Sequence, residues 1–415
     1  ENDNYKPLPF AFTRSTSATR VNKEGLIEVV TNDRPRIDYT DTSDGVLLLE
    51  KAATNLTQYS EAFDNAYWTK SGASVVSGFT SPDGTANAFK LTTSSVSNVL
   101  KKIASSSVDV GNTNSPASFS FYIKAEEISK VSIVEDYYYS AWASFDLNLG
   151  TLIASDGSNY TSSSIQSLSN GWYRITMSLT SISNGVIALG IRLLDDNYIN
   201  QNATTYTYSG NVGDGVYIYG GQAEASSQSS SYIPTQGSAS TRVAETASGS
   251  GNSEVFNDSE GVLFVDTSSV NDGQYKFIGI SDGTNSNRLG LFIGNSNNKM
   301  SVESVGSGTN LGIYDKGIVT ENNNKIGLKY KTNNCSLWVN GFEIGVDTSF
   351  AAFTNGTLTE LSFDRGDGNF DFYGKTKEIG YYDTILTDLE LETLTSYKSW
   401  TSMVNELNLN IIYNG

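Results

Sequence analysis

The chain has 415 residues, with 27 Lys and Arg against 45 Asp and Glu, and so a net charge of −18. At roughly 100–200 residues per domain, this length predicts two or three domains. Charged residues make up 17% of the chain, below the usual ~25%, and aromatic residues make up 11%, which excludes a disordered chain.

Residues 1–54, with Pro7, Pro9 and Pro35, read as an irregular N-terminal segment with short strands. Residues 55–236 read as one β unit. It opens with a helical turn at Ser60-Glu61-Ala62-Phe63, ahead of Tyr67-Trp68. The stretch from Ser118 to Ile123 alternates around Phe119, Phe121 and Ile123. The stretch from Trp172 to Leu179 alternates through Tyr173, Ile175, Met177 and Leu179, which is the period of a strand. A Ser-rich stretch from Ala225 leads into a polar linker at residues 237–257. Residues 258–400 read as a second β unit. In it, Leu337-Trp338-Val339 meets the hairpin turn Asn340-Gly341, and Phe342 to Val346 returns. A helix follows from Leu386 to Trp400. Thr387 caps it, Glu390 completes a capping box, and Leu391, Leu394 and Tyr397 share one face. Residues 401–415 form a tail in which Leu407 to Ile412 fits an edge strand. The fold class is all-β: two antiparallel β-sandwich (jelly-roll) domains in tandem, with a short C-terminal helix on the second. Ser17 to Val21 is echoed by Ala239 to Val243, so a similar leader introduces both halves. The chain does not start with Met and shows no signal peptide, and it reads as processed or trimmed.

These fragments resemble a known family. Phe12-Thr13-Arg14-Ser15-Thr16-Ser17-Ala18-Thr19-Arg20-Val21, then Arg34-Pro35-Arg36-Ile37-Asp38-Tyr39, then Leu47-Leu48-Leu49-Glu50 and Ala53-Thr54-Asn55-Leu56, look like the leader of tailed-phage fibre and head-spike proteins. Gly171-Trp172-Tyr173-Arg174, Tyr219-Gly220-Gly221-Gln222-Ala223-Glu224 and Ser231-Tyr232-Ile233-Pro234-Thr235 resemble the closing strands of their carbohydrate-binding-module-like jelly roll. This resemblance covers roughly residues 10–245. The second half is similar to concanavalin A-like (laminin-G-like) sandwiches. It shows their opening strand at Glu260 to Val265, their hairpin at Leu337 to Gly341, and their closing strand and helix from Lys377 to Trp400. The resemblance implies an attachment leader at 1–54, a homotrimer, other virion proteins as partners, and a place on the virion surface. The motifs are architectural and do not fix a ligand.

Chemistry is constrained by what is missing. Without histidine there is no His general base, no Ser-His-Asp triad and no His-ligated metal. The single cysteine, Cys335, excludes an intrachain disulfide and a Cys-cluster zinc site. No apolar run approaches the roughly 18 residues of a membrane span, so no membrane insertion is expected. The acidity opposes nucleic acid, and opposes strongly anionic polysaccharide unless a divalent cation bridges. Paired carboxylates hydrolyse glycosides without histidine, but Glu378 and Asp383 are the nearest approach and sit in an architectural segment. A tyrosine base among 24 tyrosines stays open.

The most unusual local feature is Tyr137-Tyr138-Tyr139, followed by Trp142. In a strand Tyr137 and Tyr139 share one face. Sugar rings stack on aromatic faces through their apolar C–H sides, so Tyr137, Tyr139 and Trp142 are the candidate glycan contacts; the competing reading is a filled sandwich core. Trp172, Tyr173 and Arg174 read as structural. Ca²⁺ wants six to eight oxygen ligands, and the acidic loops at Asp195-Asp196, Asp272-Gly273, Asp282-Gly283 and Asp364 to Asn369 supply carboxylates. Asp195, Asp196, Asp364 and Asp367 are the candidate ligands of a structural calcium; solvated turns are the alternative. Arg365-Gly366-Asp367 and the four Asn-x-Thr sequons read as coincidence of composition.

The expected function is a non-enzymatic virion fibre or spike that adheres to bacterial surface polysaccharide. The alternatives are a secreted bacterial carbohydrate-binding adhesin and a polysaccharide depolymerase.

Overall fold

Alternation does build the strands, but both faces of the central ones are covered. In Ser115–Ala125, Phe119, Phe121 and Ile123 are fully buried, opposite Met177, Ile175 and Tyr173 of Trp172–Ile182. Their polar neighbours Ser118 and Ser120 are fully buried too. The computed structural model describes residues 9–111, 114–182, 185–270, 273–294, 300–306, 309–313, 323–399 and 402–403.

The fold class is as expected: antiparallel β-sandwiches with one C-terminal helix. The first sandwich packs two six-stranded sheets. One runs Thr151–Asp156, Trp142–Asp146, Lys130–Glu135, Leu189–Leu194, Lys102–Ser105 and Trp68–Ser71. The other runs Tyr160–Ser167, Trp172–Ile182, Ser115–Ala125, Gly215–Glu224, Ala88–Thr93 and Ala73–Phe79. Phe63, Trp68, Phe89 and Phe121 form the aromatic centre of its core. Ser60 to Phe63 form bends and turns rather than the expected helical turn. Phe63 is fully buried there, with ring centroids 5.0 Å from Trp68, and that packing sets the path of the chain.

The second sandwich packs a seven-stranded sheet on a five-stranded one. At Asn340 and Gly341, φ values of 52° and 88° make the two-residue turn that joins Cys335–Val339 to Phe342–Asp347. The helix Asp388–Thr395 carries the expected capping box and buries Leu391 against Val262 and Trp338. It ends at Ser396, short of the expected Trp400. The edge strand expected at Leu407 to Ile412, and Asp272, lie outside the described residues.

The N-terminal segment is not a separate leader. Val46–Leu49 pairs with Gly374–Tyr382, and Arg36–Asp38 pairs with Val46–Leu49, so residues 36–49 complete the seven-stranded sheet. Leu49 is buried in the second core. Ala11–Thr13 pairs with Thr246–Ser248. The second sandwich therefore takes strands from both sides of the first, which is inserted between them. The polar segment at 237–257 is not a free linker. Its Ser240–Arg242 pairs with Ala53–Asn55, so the outgoing and returning chains run side by side.

At this crossing five charged side chains meet. Arg14 Nη1 reaches Glu245 Oε1 at 2.6 Å, and Arg36 Nε reaches the same oxygen at 2.8 Å. Arg36 also pairs with the second oxygen of Glu245 and, at 2.9 Å, with Glu50. Arg242 lies 3.3 Å from Glu50. Arg14 donates its remaining N–H groups to the carbonyls of Thr16, Arg34, Val30 and Thr31. Arg14, Arg36 and Glu245 have no exposed side-chain surface. Burial pushes the Glu50 carboxyl up, but Arg242 and Arg36 outweigh it and hold it well below the usual carboxylate range.

Removing one partner of a buried pair leaves an uncompensated charge. Glu245→Gln is expected to cost about 3–5 kcal/mol, seen as a lower urea midpoint. Arg20→Gln, which breaks the exposed pair with Glu28, is expected to cost under about 1 kcal/mol. Equal midpoints for the two variants would contradict this account.

Candidate functional site

The site is a turn that a buried carboxylate pins from below. The strand Lys130–Glu135 ends at Glu135, whose side chain is fully buried. Glu135 Oε1 accepts the N–H of Tyr137 at 2.9 Å and of Ala188 at 3.1 Å. Its Oε2 accepts the N–H of Tyr138 at 2.8 Å and the Ser140 hydroxyl at 3.2 Å. The backbone leaves the strand here, and Tyr139 takes a left-handed φ of 57°, a conformation uncommon for a large side chain. Gly157 closes the turn from the side. A Cβ there would stand 2.2 Å from the Ser140 carbonyl oxygen, so only glycine fits.

Tyr137, Tyr138 and Tyr139 therefore project together, 49%, 45% and 49% exposed. The expected strand geometry, with Tyr137 and Tyr139 on one face and Tyr138 on the other, does not hold. The rings of Tyr137 and Tyr138 meet edge-on at 4.6 Å. The Lys102 ammonium lies 5.8 Å from the Tyr139 ring centroid and pairs with Asp136 at 2.7 Å. Asp136 also holds Arg192, which has no exposed side-chain surface. The turn thus presents three half-exposed rings beside the Lys102 ammonium, which the buried Asp136 carboxylate holds in place.

Trp142 is not part of this surface. The strand resumes at Trp142–Asp146, and the Trp142 ring is buried with Val134, Leu194, Tyr198 and Ala203 beneath the loop after Leu194. Trp172 is buried as well, and Arg174 donates to the Ser120 hydroxyl and the Ser230 carbonyl.

The four candidate calcium ligands do not converge. Asp195 accepts the Tyr206 hydroxyl at 2.5 Å and the Asn197 amide at 3.1 Å. The neighbouring Asp196 contributes its backbone carbonyl to Lys130 at 2.8 Å. In the second sandwich, Asp364 accepts the N–H groups of Gly366 and Gly368, and Asp367 pairs with Arg365 at 2.6 Å. Among the described residues no three Asp, Glu, Cys or His side chains group around one point. As arranged, these carboxylates close their own loops through hydrogen bonds and ion pairs.

A second aromatic group escaped the sequence reading. Tyr275, 41% exposed, stacks on Phe292 at 5.4 Å and meets Phe370 at 5.3 Å. The Arg365 guanidinium sits 4.3 Å from the Phe370 ring centroid. Tyr275 and Phe370 are far apart in the chain, so no local pattern announces them.

Four buried tyrosines are poorly suited to act as bases. Burial pushes Tyr219, Tyr232, Tyr330 and Tyr208 up from their ordinary values, away from what a base at neutral pH needs. Burial likewise pushes the Cys335 thiol up to about 12, away from nucleophilicity. Among the described residues no helix is long and apolar enough to cross a membrane.

No family model matches the chain, and no curated protein matches it. Among solved structures it is similar to the CBM40 of the Ruminococcus gnavus IT-sialidase bound to alpha2,3 sialyllactose. The identity is 16%, the match covers 36% of this chain and 94% of that one, and the TM-score is 0.31. It is also similar to mouse laminin alpha1 chain domains LG4-5, at 13% identity over 69% of this chain and 86% of that one, with a TM-score of 0.25. Trypanosoma rangeli sialidase matches at 10% identity over 95% of both chains, with a TM-score of 0.28. Scores this low carry nothing about ligand or activity.

The burial difference between the tyrosines and Trp142 is directly testable. Trp142→Ala is expected to cost about 3–5 kcal/mol, and Tyr137→Ala to change stability by no more than about 0.5 kcal/mol. Thermal melts of both variants check this, and a large drop for Tyr137→Ala would place that ring in the core.

Proposed function

We propose that the protein binds glycans without turning them over, through the Tyr137 to Tyr139 turn. One observation carries this: three consecutive tyrosines stand half-exposed on a backbone that the buried Glu135 carboxylate holds in place. Aromatic faces take the apolar C–H side of a sugar ring, while the tyrosine hydroxyls and the Lys102 ammonium supply polar partners for its hydroxyls. The surface is small, so each contact is weak. Copies displayed together multiply such contacts through effective concentration.

We place this binding in a virion fibre or spike, probing bacterial surface polysaccharide, on the strength of the resemblance over residues 10–245. A homotrimer would give the required multiplicity. The same resemblance makes other virion proteins its partners and the particle surface its location. The attachment role of residues 1–54 needs a different basis from the one first expected, because residues 36–49 are built into the second sandwich.

Affinity electrophoresis through gels containing host-type surface polysaccharides tests the proposal. The expected result is retardation on at least one neutral polymer, lost in a Tyr137→Ala/Tyr139→Ala double variant with an unchanged melting temperature. The polymer is expected to keep its full length after incubation. Retardation that survives the double variant would overturn the site, and shortened polymer would overturn the absence of turnover.

A further inference from the structure

The second sandwich carries aromatic rings that its core does not use. In Arg288–Ile293, Leu289, Leu291 and Ile293 face the core, so Phe292 stands on the outer face of the five-stranded sheet. Phe277 lies opposite it in the paired strand Lys276–Ser281, and Tyr275 comes two residues before Phe277. Phe370 joins them from the loop after Phe363, its carbonyl accepting the Phe277 N–H at 2.8 Å. Tyr275 is exposed and Phe292 and Phe370 are partly so. None of the three belongs to the second core.

The loop that presents Phe370 is built like the tyrosine turn. The buried Asp364 carboxylate accepts the N–H groups of Gly366 at 2.5 Å and Gly368 at 3.4 Å. Arg365 donates its backbone N–H to the Asn369 carbonyl at 2.9 Å and pairs its guanidinium with Asp367 at 2.6 Å. Gly366, at a φ of 90°, lies so near Ser281 that a Cβ would stand 2.6 Å from the Ser281 Cβ. The loop delivers Phe370 at a φ of 61°. Among the described residues, Tyr139 and Phe370 are the two aromatic residues held in the left-handed region, where a bulky side chain is an outlier. Such strain persists where surrounding contacts over-determine it, and it gathers at ligand sites.

Ring geometry sets what fits. One face of Tyr275 rests on Phe292, with centroids 5.4 Å apart and planes 28° apart, so its exposure belongs to the opposite face and the hydroxyl edge. Phe370 meets Tyr275 at 5.3 Å and 43°, a corner rather than a stack. The Arg365 guanidinium backs Phe370, 4.3 Å from its ring centroid. The open Tyr275 face, with Phe370 beside it, forms a shelf for one flat apolar face. The Tyr275 hydroxyl and the exposed Asn369 supply polar partners at its rim. Three partly exposed rings of ~150–250 Å² each offer far less than the roughly 800 Å² per partner that a stable protein interface buries. A second copy of the chain is therefore too large an occupant for this shelf. Arg365 is already paired with Asp367, so the shelf does not select an anion.

We infer that this shelf is a second glycan site, taking the C–H face of a neutral hexopyranose on Tyr275, with the sugar's edge against Phe370. It lies on the other sandwich from the tyrosine turn and does not depend on it.

Saturation-transfer NMR on the full chain tests it, in a Tyr137→Ala/Tyr139→Ala background that removes the turn's contribution. The probes are methyl β-glucopyranoside and methyl β-galactopyranoside, with glycerol as a hydroxylated control that has no ring. At least one glycoside is expected to show severalfold more transfer to its ring C–H protons than glycerol shows. Adding Tyr275→Ala is expected to bring that transfer down to the glycerol level. Tyr275→Trp, which keeps a flat ring, is expected to retain it, both chains keeping the melting temperature of the background. Transfer no greater than to glycerol, transfer that survives Tyr275→Ala, or transfer lost in Tyr275→Trp would overturn the inference. So would sedimentation showing that the background chain self-associates and its Tyr275→Ala variant does not, which would assign the shelf to a second copy. Because the turn is absent from every chain in this experiment, failure here leaves the proposal for the turn standing.

Discussion

The ion pairs among Arg14, Arg36, Arg242, Glu50 and Glu245 fix how the chain crosses between the two sandwiches. A buried ion network is a poor general stabiliser, because desolvation offsets much of the attraction. Its use here is register. Apolar contacts are non-directional, and two β-sandwiches joined by two antiparallel crossings could slide. The Arg36 guanidinium meets both oxygens of Glu245, while Glu245 accepts the Glu50 N–H at 2.9 Å. Only one alignment of the outgoing and returning chains satisfies all of these contacts together.

That crossing also decides which surfaces remain open. The segment after Glu224 folds back on the sheet, where Ser230 bonds Glu224 and accepts from Arg174, which also donates to Ser120. The outer face of the other sheet is closed by the loop bearing Tyr198 and Ala203. The turn at Tyr137 to Tyr139 stands clear of these covered regions, and the insertion leaves a cleft lined by Glu50, Arg242 and Tyr373. Both depend on a fully buried carboxylate, Glu135 in one case and Glu245 in the other.

Local patterns were legible in the sequence where the physics is local. The Asn340-Gly341 turn needs positive φ at both positions, and the Thr387–Glu390 box needs only four residues. Alternation revealed the central strands, and with them the all-β class. The insertion was not legible, because Val46–Leu49 finds its partner more than 300 residues later, at Gly374–Tyr382. The tyrosine triplet was visible, but its geometry was not. Strand periodicity fails at Tyr137 because Glu135 turns inward to bond the next amides, and nothing local in Val-Glu-Asp-Tyr-Tyr-Tyr announces that. Trp142 was misplaced for the same reason. Its burial depends on Tyr198 and Ala203, which belong to a distant loop.

Rigidity is what makes a small aromatic turn useful. Ordering a residue's backbone costs about 1–2 kcal/mol, comparable with what one stacked ring contributes. A flexible triplet would lose on ordering most of what it gained on contact. Here Glu135 removes that loss before any ligand arrives, at the expense of a left-handed Tyr139 and a glycine-only position at Gly157. Tyrosine suits such a surface because its ring has only two torsions to fix and carries its own hydroxyl. The strain at Tyr139 is tolerated because the surrounding strands over-determine it. The same contacts that hold the strain hold the three rings apart from the core, so the fold exposes aromatic surface that burial would otherwise have claimed.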